Sequence, residues 1–343
     1  MRAETVAGCL GIAGLVVAAT LAMRPAPLPV PQRAAGPVAF PPAPHAQRMA
    51  TGRSGLPVVL ALDGEIARMG RAAPRLEPMR RAFLDAPNLT QFALDRLARA
   101  VAGDGASQYF IYLALEQCRS YLRRDLESAR LNLETMLNVQ DLAGEERVAW
   151  RAEYERCRGF GLGGWDAIGE ALGMEEPGSE AEYASLWFER AGQTGYPTAL
   201  AELALRPSPI GAPDREAMLR EALVRGGPDV YWLLFAHSAD VPSGEASVPS
   251  LAWLIVACRA GQDCTEQARW YRGFACQQGE GACPQGQSAL EHYWLSAPVR
   301  ERDQAWVLAA RIEVALRAGQ WDELPYPDLE RLDYRRLWEH GKK

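Results

Sequence analysis

From about residue 57 onward, apolar residues return at steps of three and four, and no convincing run of alternating β-branched residues interrupts them. That period predicts a body that is helical almost throughout. The clearest stretch is residues 183–203, where Ala184, Trp187, Phe188, Ala191, Gly195, Ala199 and Leu203 are spaced as one helix, a tight glycine turn and the start of a second helix packing back. Upstream, 57–71 reads as a weakly amphipathic helix, flawed at Gly64 and with Pro57 tolerated in its first turn. Asn88 reads as the N-cap of a helix over 89–102 with Phe92, Leu94, Leu97 and Val101 as its apolar stripe. Gly103-Asp104-Gly105 turns the chain, and helices are expected over 107–122, 125–137 and 144–157. Residues 159–182 are expected to be a glycine-rich loop with an acidic tail. Its Gly159-Phe160-Gly161-Leu162-Gly163-Gly164 run lacks the lysine–serine pair and preceding strand of a phosphate loop.

The four-residue step recurs. Ala191, Gly195, Ala199 and Leu203 are matched by Ala222, Gly226, Val230 and Leu234, and by Ala257 and Gly261, with Trp253 eight before Gly261 as Trp187 is eight before Gly195. The turn glycines lie 31 and 35 residues apart, a period that means stacked helix pairs. A small residue at the crossing lets two helices approach, and a glycine past the helix end takes a left-handed cap. The units run over about 183–205, 215–236 and 250–290 of a helical domain at 47–343. Ala184, Trp187, Phe188, Ala191, Gly192, Gly195, Ala199 and Leu203 together resemble the signature of the Sel-one-like repeat family, relatives of tetratricopeptide repeats. The match is partial around Gly226 and Gly261, and faint near Gly103 and near Gly319 with Ala315; about half the chain is covered. The resemblance implies an all-α fold, an α/α solenoid of antiparallel helix pairs.

Ahead of the body, residues 1–4 form a short tail and 5–23 an uncharged run, whose nineteen residues reach roughly 28 Å as a helix, about the hydrocarbon thickness. It reads as an uncleaved transmembrane anchor or as a signal peptide, with 20–22 the best cleavage pattern. Cys9 precedes the apolar run instead of following it, which argues against lipidation there. Arg2 faces Arg24 and Arg33 across the span, so flanking charge does not set orientation. Residues 24–46 carry eight prolines and read as an extended, semi-rigid linker, or as a ligand for a proline-binding module.

Charge changes the picture by exclusion. The formal net charge is −6; residues 1–46 hold three arginines and Glu4, so the rest stands at −8. An acidic body argues against nucleic acid and does not favour an anionic membrane surface. Only Lys342 and Lys343 of the 37 basic residues are lysines, a bias that reads as genomic.

Six cysteines fall in the body: Cys118, Cys157, Cys258, Cys264, Cys276 and Cys283. Cys258 and Cys264 flank one predicted helix turn, and Cys276 and Cys283 the next. Cys264 and Cys276 stand roughly 18 Å apart along one helix, beyond the reach of a disulfide. The pairs Cys258–Cys264 and Cys276–Cys283 then remain, and Cys118–Cys157 follows by elimination. A zinc site competes, but gaps of five, eleven and six residues do not match zinc-cluster spacing. Disulfides imply an oxidising compartment, a periplasm for a bacterial chain. The segment around Cys276 and Cys283 also resembles the cysteine-rich secreted branch of the same family, with a gap a residue or so shorter.

Candidate chemistry is sparse. His45, His237, His292 and His340 form no metal-protease motif, and no glycine-flanked nucleophilic serine occurs. His237, Ser238 and Asp240 put triad residue types together, but at a predicted helix end before a turn. Glu291 and His292 read as a solvated face, Glu145 and Glu146 as a helix start, and Glu175 and Glu176 as loop. Trp187, Trp253 and Trp270 follow the repeat and read as core. Trp165, Trp306, Trp321 and Trp338 do not, and are either packing or anchors for a bound peptide. The expectation is a protein-interaction or scaffolding module of the cell envelope, anchored through 5–23 or cleaved and secreted, needing no cofactor. The rival implied by the cysteine-rich branch is an envelope enzyme acting on cell-wall or β-lactam-like substrates; a secreted effector is a third possibility.

Overall fold

The computed structural model describes residues 55–119, 144–160, 163–174, 178–206, 212–238, 247–268, 286–327 and 329. Among them the chain is all-helical, with thirteen α-helices and no strand. The helices are α1 Gly55–Gly70, α2 Pro78–Asp85, α3 Leu89–Val101, α4 Gly105–Arg119, α5 Gly144–Cys157, α6 Gly164–Ala171, α7 Glu180–Gln193, α8 Pro197–Leu205, α9 Ala212–Arg225, α10 Pro228–Ser238, α11 Val248–Ala260, α12 Ala289–Ser296 and α13 Val299–Ala318. A 3-10 turn at Trp321–Glu323 follows. No helix among the described residues is long and apolar enough to cross a membrane; residues 5–23 and 24–46 lie outside them, as does the helix expected over 125–137.

The boundaries have local causes. Asn88 caps α3 by accepting the Gln91 N–H at 3.0 Å. Ser179 with Glu182, and Ser288 with Glu291, close capping boxes on α7 and α12. Proline stands in the first turn of α2, α8 and α11, where its missing N–H costs no bond. At the other end, Gly195, Gly261 and Gly319 take left-handed φ of 73°, 115° and 68°. In each case the next residue donates back to the alanine four before the glycine: Tyr196 to Ala191, Gln262 to Ala257 and Gln320 to Ala315, at 2.9–3.0 Å. This is one recurring Schellman joint. Gly103 makes the same joint with Arg99 at its start.

Several expectations need correction. Gly226 is not left-handed. A Cβ there would run into the Ala222 carbonyl and stand 2.5 Å from Val230 Cγ2, so crowding between α9 and α10 requires the glycine. Residues 159–182 are not simply a loop: Gly163, at φ 96°, starts α6, which buries Trp165 and Ile168, and α7 begins at Glu180. Val101 is 56% exposed; nine residues on, it lies half a turn round α3 from Phe92. Phe92 is buried and Leu94 and Leu97 pack against the core as expected, and the buried face also takes in Leu89, Ala93 and Ala100.

Two hydrophobic cores result among the described residues. The first gathers α2 to α7 around Phe92, Phe110, Trp165 and Trp187. The second gathers α9 to α13 around Tyr231, Trp253, Ile255 and Trp294. Helix α8 stands between them, giving Ala199 to the first and Leu200, Ala201, Ala204 and Leu205 to the second. Helix α7 lies chiefly against α4, and α8 chiefly against α9. They also meet each other, since a Cβ on Gly192 would overlap Leu203 Cδ1. Helix α1 breaks chain order: Leu62 and Ile66 join the second core, and Trp294 Nε1 donates to Asp63 Oδ1 at 2.6 Å across 231 residues.

Candidate functional site

Where the first core meets α8, a polar network is set among aromatic rings. Tyr109 and Tyr112 sit one turn apart on α4, and both reach Glu202 on α8. The Tyr109 hydroxyl donates to Glu202 Oε2 at 2.9 Å, and the Tyr112 hydroxyl to Oε1 at 2.7 Å. The guanidinium of Arg206, which caps the end of α8, donates from Nη2 to both Glu202 Oε1 and the Tyr112 hydroxyl. Its carbon stands 4.2 Å from the centroid of the Phe188 ring and 5.3 Å from that of Tyr112. The Tyr112 and Phe188 rings are 4.7 Å apart, and the Tyr109 ring lies tilted against Tyr196 at 5.2 Å. Beyond Tyr196 lie the charges of Glu77 and Asp229, with Arg80 Nε 3.5 Å from Asp229 Oδ1.

The electrostatics are those of a fixed cation site. Burial, then the Glu202 charge, pushes the Tyr109 and Tyr112 phenols well above the usual tyrosine range, so both stay protonated donors. Burial, then Glu77 and Asp229, does the same to Tyr196. Burial pulls Arg206 down, but Glu202 and Tyr112 outweigh it, and the guanidinium is held charged. Glu77 is pushed up by burial, against opposing bonds from the Met79 and Arg80 backbone. The arrangement can bind and orient a planar cation; its phenols and guanidinium are fixed in their protonated forms.

The network escaped sequence reasoning. Its only local trace is Glu202 and Arg206 at a four-residue step beside an i, i+3 tyrosine pair; the link across about 90 residues leaves none.

The residues singled out from sequence take other roles. Ala184, Trp187, Phe188, Ala191, Ala199, Ala222, Trp253 and Ala257 are buried in helix packing, and Leu203 covers Gly192. Trp165 packs on Phe160 at 5.0 Å; Trp306 lies under the Arg259 guanidinium at 4.2 Å. Trp253 Nε1 donates to the Pro325 carbonyl at 3.0 Å. Glu291 is not a solvated face, because it closes the α12 capping box. His237 and Ser238 end α10, where the Ser238 carbonyl accepts from Ser247 Oγ at 2.9 Å. Trp270, Trp338, Asp240, Glu175, Glu176, His45 and His340 lie outside the described residues.

Cys118 and Cys157 form a disulfide with Cα atoms 5.2 Å apart, and Cys258 and Cys264 a second at 5.7 Å. These four therefore supply no thiolate to zinc. Cys276 and Cys283 lie outside the described residues. Among the described residues, no three of the His, Cys, Asp and Glu side chains are grouped to hold a metal ion.

Fold and site together define an all-helical, disulfide-bonded protein with a part-buried tyrosine–carboxylate–arginine network. Comparison with family models finds no match, and comparisons with curated proteins and with solved structures find none either.

Proposed function

We propose that this chain is a non-catalytic protein-interaction module of the cell envelope, an α/α solenoid of Sel-one-like helix pairs. Residues 5–23 anchor it in the inner membrane, and the proline-rich 24–46 segment spaces it from the bilayer. The observation that carries the reading is the recurring joint at Gly195, Gly261 and Gly319, with its alanine four residues earlier. Joints of this kind fit a protein built from one repeated unit, and repeat arrays bind partners along extended surfaces. The disulfides fit an extracellular or periplasmic location. The polar groups of the network are engaged with one another, as suits recognition better than turnover.

The test is site-specific photo-crosslinking of the full chain in intact cells, scanning exposed positions such as Val148, Val224 and Val307. A position-dependent adduct with one protein is the expected result. Absence of any adduct across the scan, or turnover of cell-wall glycan or a β-lactam by the purified chain, sinks the reading. The compartment is tested separately by alkylating intact cells before reduction. Free thiols at Cys118, Cys157, Cys258 and Cys264 would remove the periplasmic assignment.

A further inference from the structure

The Glu202 network is a cage around a cation, and the cation belongs to the chain itself. The walls are the Tyr112 and Phe188 rings, on α4 and α7 and both buried; the floor is Glu202, fixed by two phenol donors. A guanidinium suits this cage better than an ammonium. It can cover a ring while its N–H groups meet a carboxylate and a hydroxyl; here the Arg206 carbon stands 4.2 Å from the Phe188 centroid while Nη2 donates to Glu202 and Tyr112. Arg206 is also the member least tied to the fold. Its side chain is 39% exposed against 13% for Glu202, and it stands past the last turn of α8 on extended backbone. Withdrawing it leaves walls and floor on their own helices.

We propose that the Tyr112–Phe188–Glu202 cage is a guanidinium-binding site, filled by Arg206 in the free chain and by an arginine side chain of a protein partner in the complex. The inference rests on the protein-interaction reading for its partner but not for its chemistry. Charge favours such a ligand, because the chain beyond residue 46 carries a net −8 and attracts a cationic segment. A tethered arginine competes at a local concentration of about millimolar, so an incoming arginine must be presented by a partner that binds elsewhere too.

The experiment uses the full chain with Arg206→Ala and ethylguanidinium as probe, with ethylammonium as the matched control. The expected result is saturable binding of ethylguanidinium to Arg206→Ala, seen as chemical-shift changes and a raised Tm, with none for ethylammonium. Wild-type protein should bind the same probe about tenfold more weakly, because Arg206 competes. Adding Glu202→Gln to Arg206→Ala should abolish the binding. Should Arg206→Ala fail to fold, Arg206→Gln keeps the stem and serves in its place. The cage reading is overturned by equal responses to both probes, by binding that survives Glu202→Gln, or by wild-type affinity equal to that of the variant. The probe is a small molecule, so these outcomes are decided whether or not crosslinking finds a partner.

Discussion

Removing the Cys118–Cys157 and Cys258–Cys264 disulfides one at a time separates loop length from local packing as the source of their stabilisation. Cys118–Cys157 closes a separation of 39 residues and Cys258–Cys264 one of 6. The chain-entropy relation gives about 3.9 kcal/mol for the first loop and about 2.2 kcal/mol for the second at 25 °C. Packing widens the gap, since Cys118 and Cys157 are both fully buried while Cys258 is only partly so. One local effect works against it. The loop of the short bridge offers the Gly261 carbonyl to the Arg75 N–H at 2.8 Å and the Cys264 carbonyl to the Ala289 N–H at 3.0 Å. Were both bonds lost with the bridge, about 2 kcal/mol would be added and the two costs would be equal. The Schellman joint at Gly261 argues that they persist, because the Gln262 N–H holds the Ala257 carbonyl without the sulfurs. Cys118→Ala/Cys157→Ala should therefore cost about 4 kcal/mol and Cys258→Ala/Cys264→Ala about 2 kcal/mol. Urea unfolding reads the difference, each variant taken from the transition of the core that holds its bridge. Equal costs, or a larger loss from the short bridge, would show that the loop depends on its sulfurs and refute the argument. A kinetic corollary follows from access: under native conditions dithiothreitol should reduce Cys258–Cys264 first, as mapped by alkylation and mass spectrometry.

The remaining predictions each isolate one contact. Trp294→Phe removes the bond to Asp63 and should cost about 1–2 kcal/mol, with faster hydrogen exchange in α1; unchanged exchange there would show the bond to be idle. Gly226→Ala should cost about 1–3 kcal/mol by overpacking against the Ala222 carbonyl. Gly319→Ala, whose Cβ would meet nothing nearer than 3.8 Å, should cost only the left-handed strain of about 1–2 kcal/mol; a reversed order in thermal unfolding would overturn the distinction. Burial holds the His292 pKa below its ordinary value, so protons favour the unfolded chain. Stability from this group is full above about pH 6.5 and falls as pH drops toward the folded value. His292→Gln should flatten that fall below about pH 6.5, and an unchanged slope in urea midpoints would sink the assignment.

How much of this was legible in the sequence depended on the range of the cause. Asn88, Ser179 and the joints at Gly195, Gly261 and Gly319 act within one turn, and their patterns mark helix ends directly. Gly226 carries the same local pattern as Gly195 yet is not left-handed, and a side chain is excluded there by the Ala222 carbonyl and Val230, the latter from the next helix. Helix α6 was hidden because its glycines outweigh two buried residues, Trp165 and Ile168, in any short window. Val101 falls outside the buried face because a stripe of threes and fours drifts round the helix, and only the neighbour decides which edge is covered. The Glu202 network could not be read at all, since a tyrosine pair and a Glu–Arg step mean nothing until α4 is laid against α8.

The placement of α1 bears on how far a one-dimensional stack describes this chain. In such a stack each unit touches only its neighbours, and the ends stay independent. Here the helix nearest the proline-rich segment gives Leu62 and Ile66 to the core of α9 to α13, and the stretch after it is held by the bond from Arg75 to Gly261. Burying those two side chains is worth about 1.5–3 kcal/mol each, and the Trp294–Asp63 bond adds to it. Truncation up to residue 76 therefore removes several kcal/mol from a core whose other residues begin at Leu200. Hydrogen exchange distinguishes the two descriptions. Faster exchange in α11 and α12, with α3 and α4 unchanged, follows from the contacts seen here. Loss confined to α2 and α3 would instead mean that the chain behaves as a stack and that α1 contributes little where it lies.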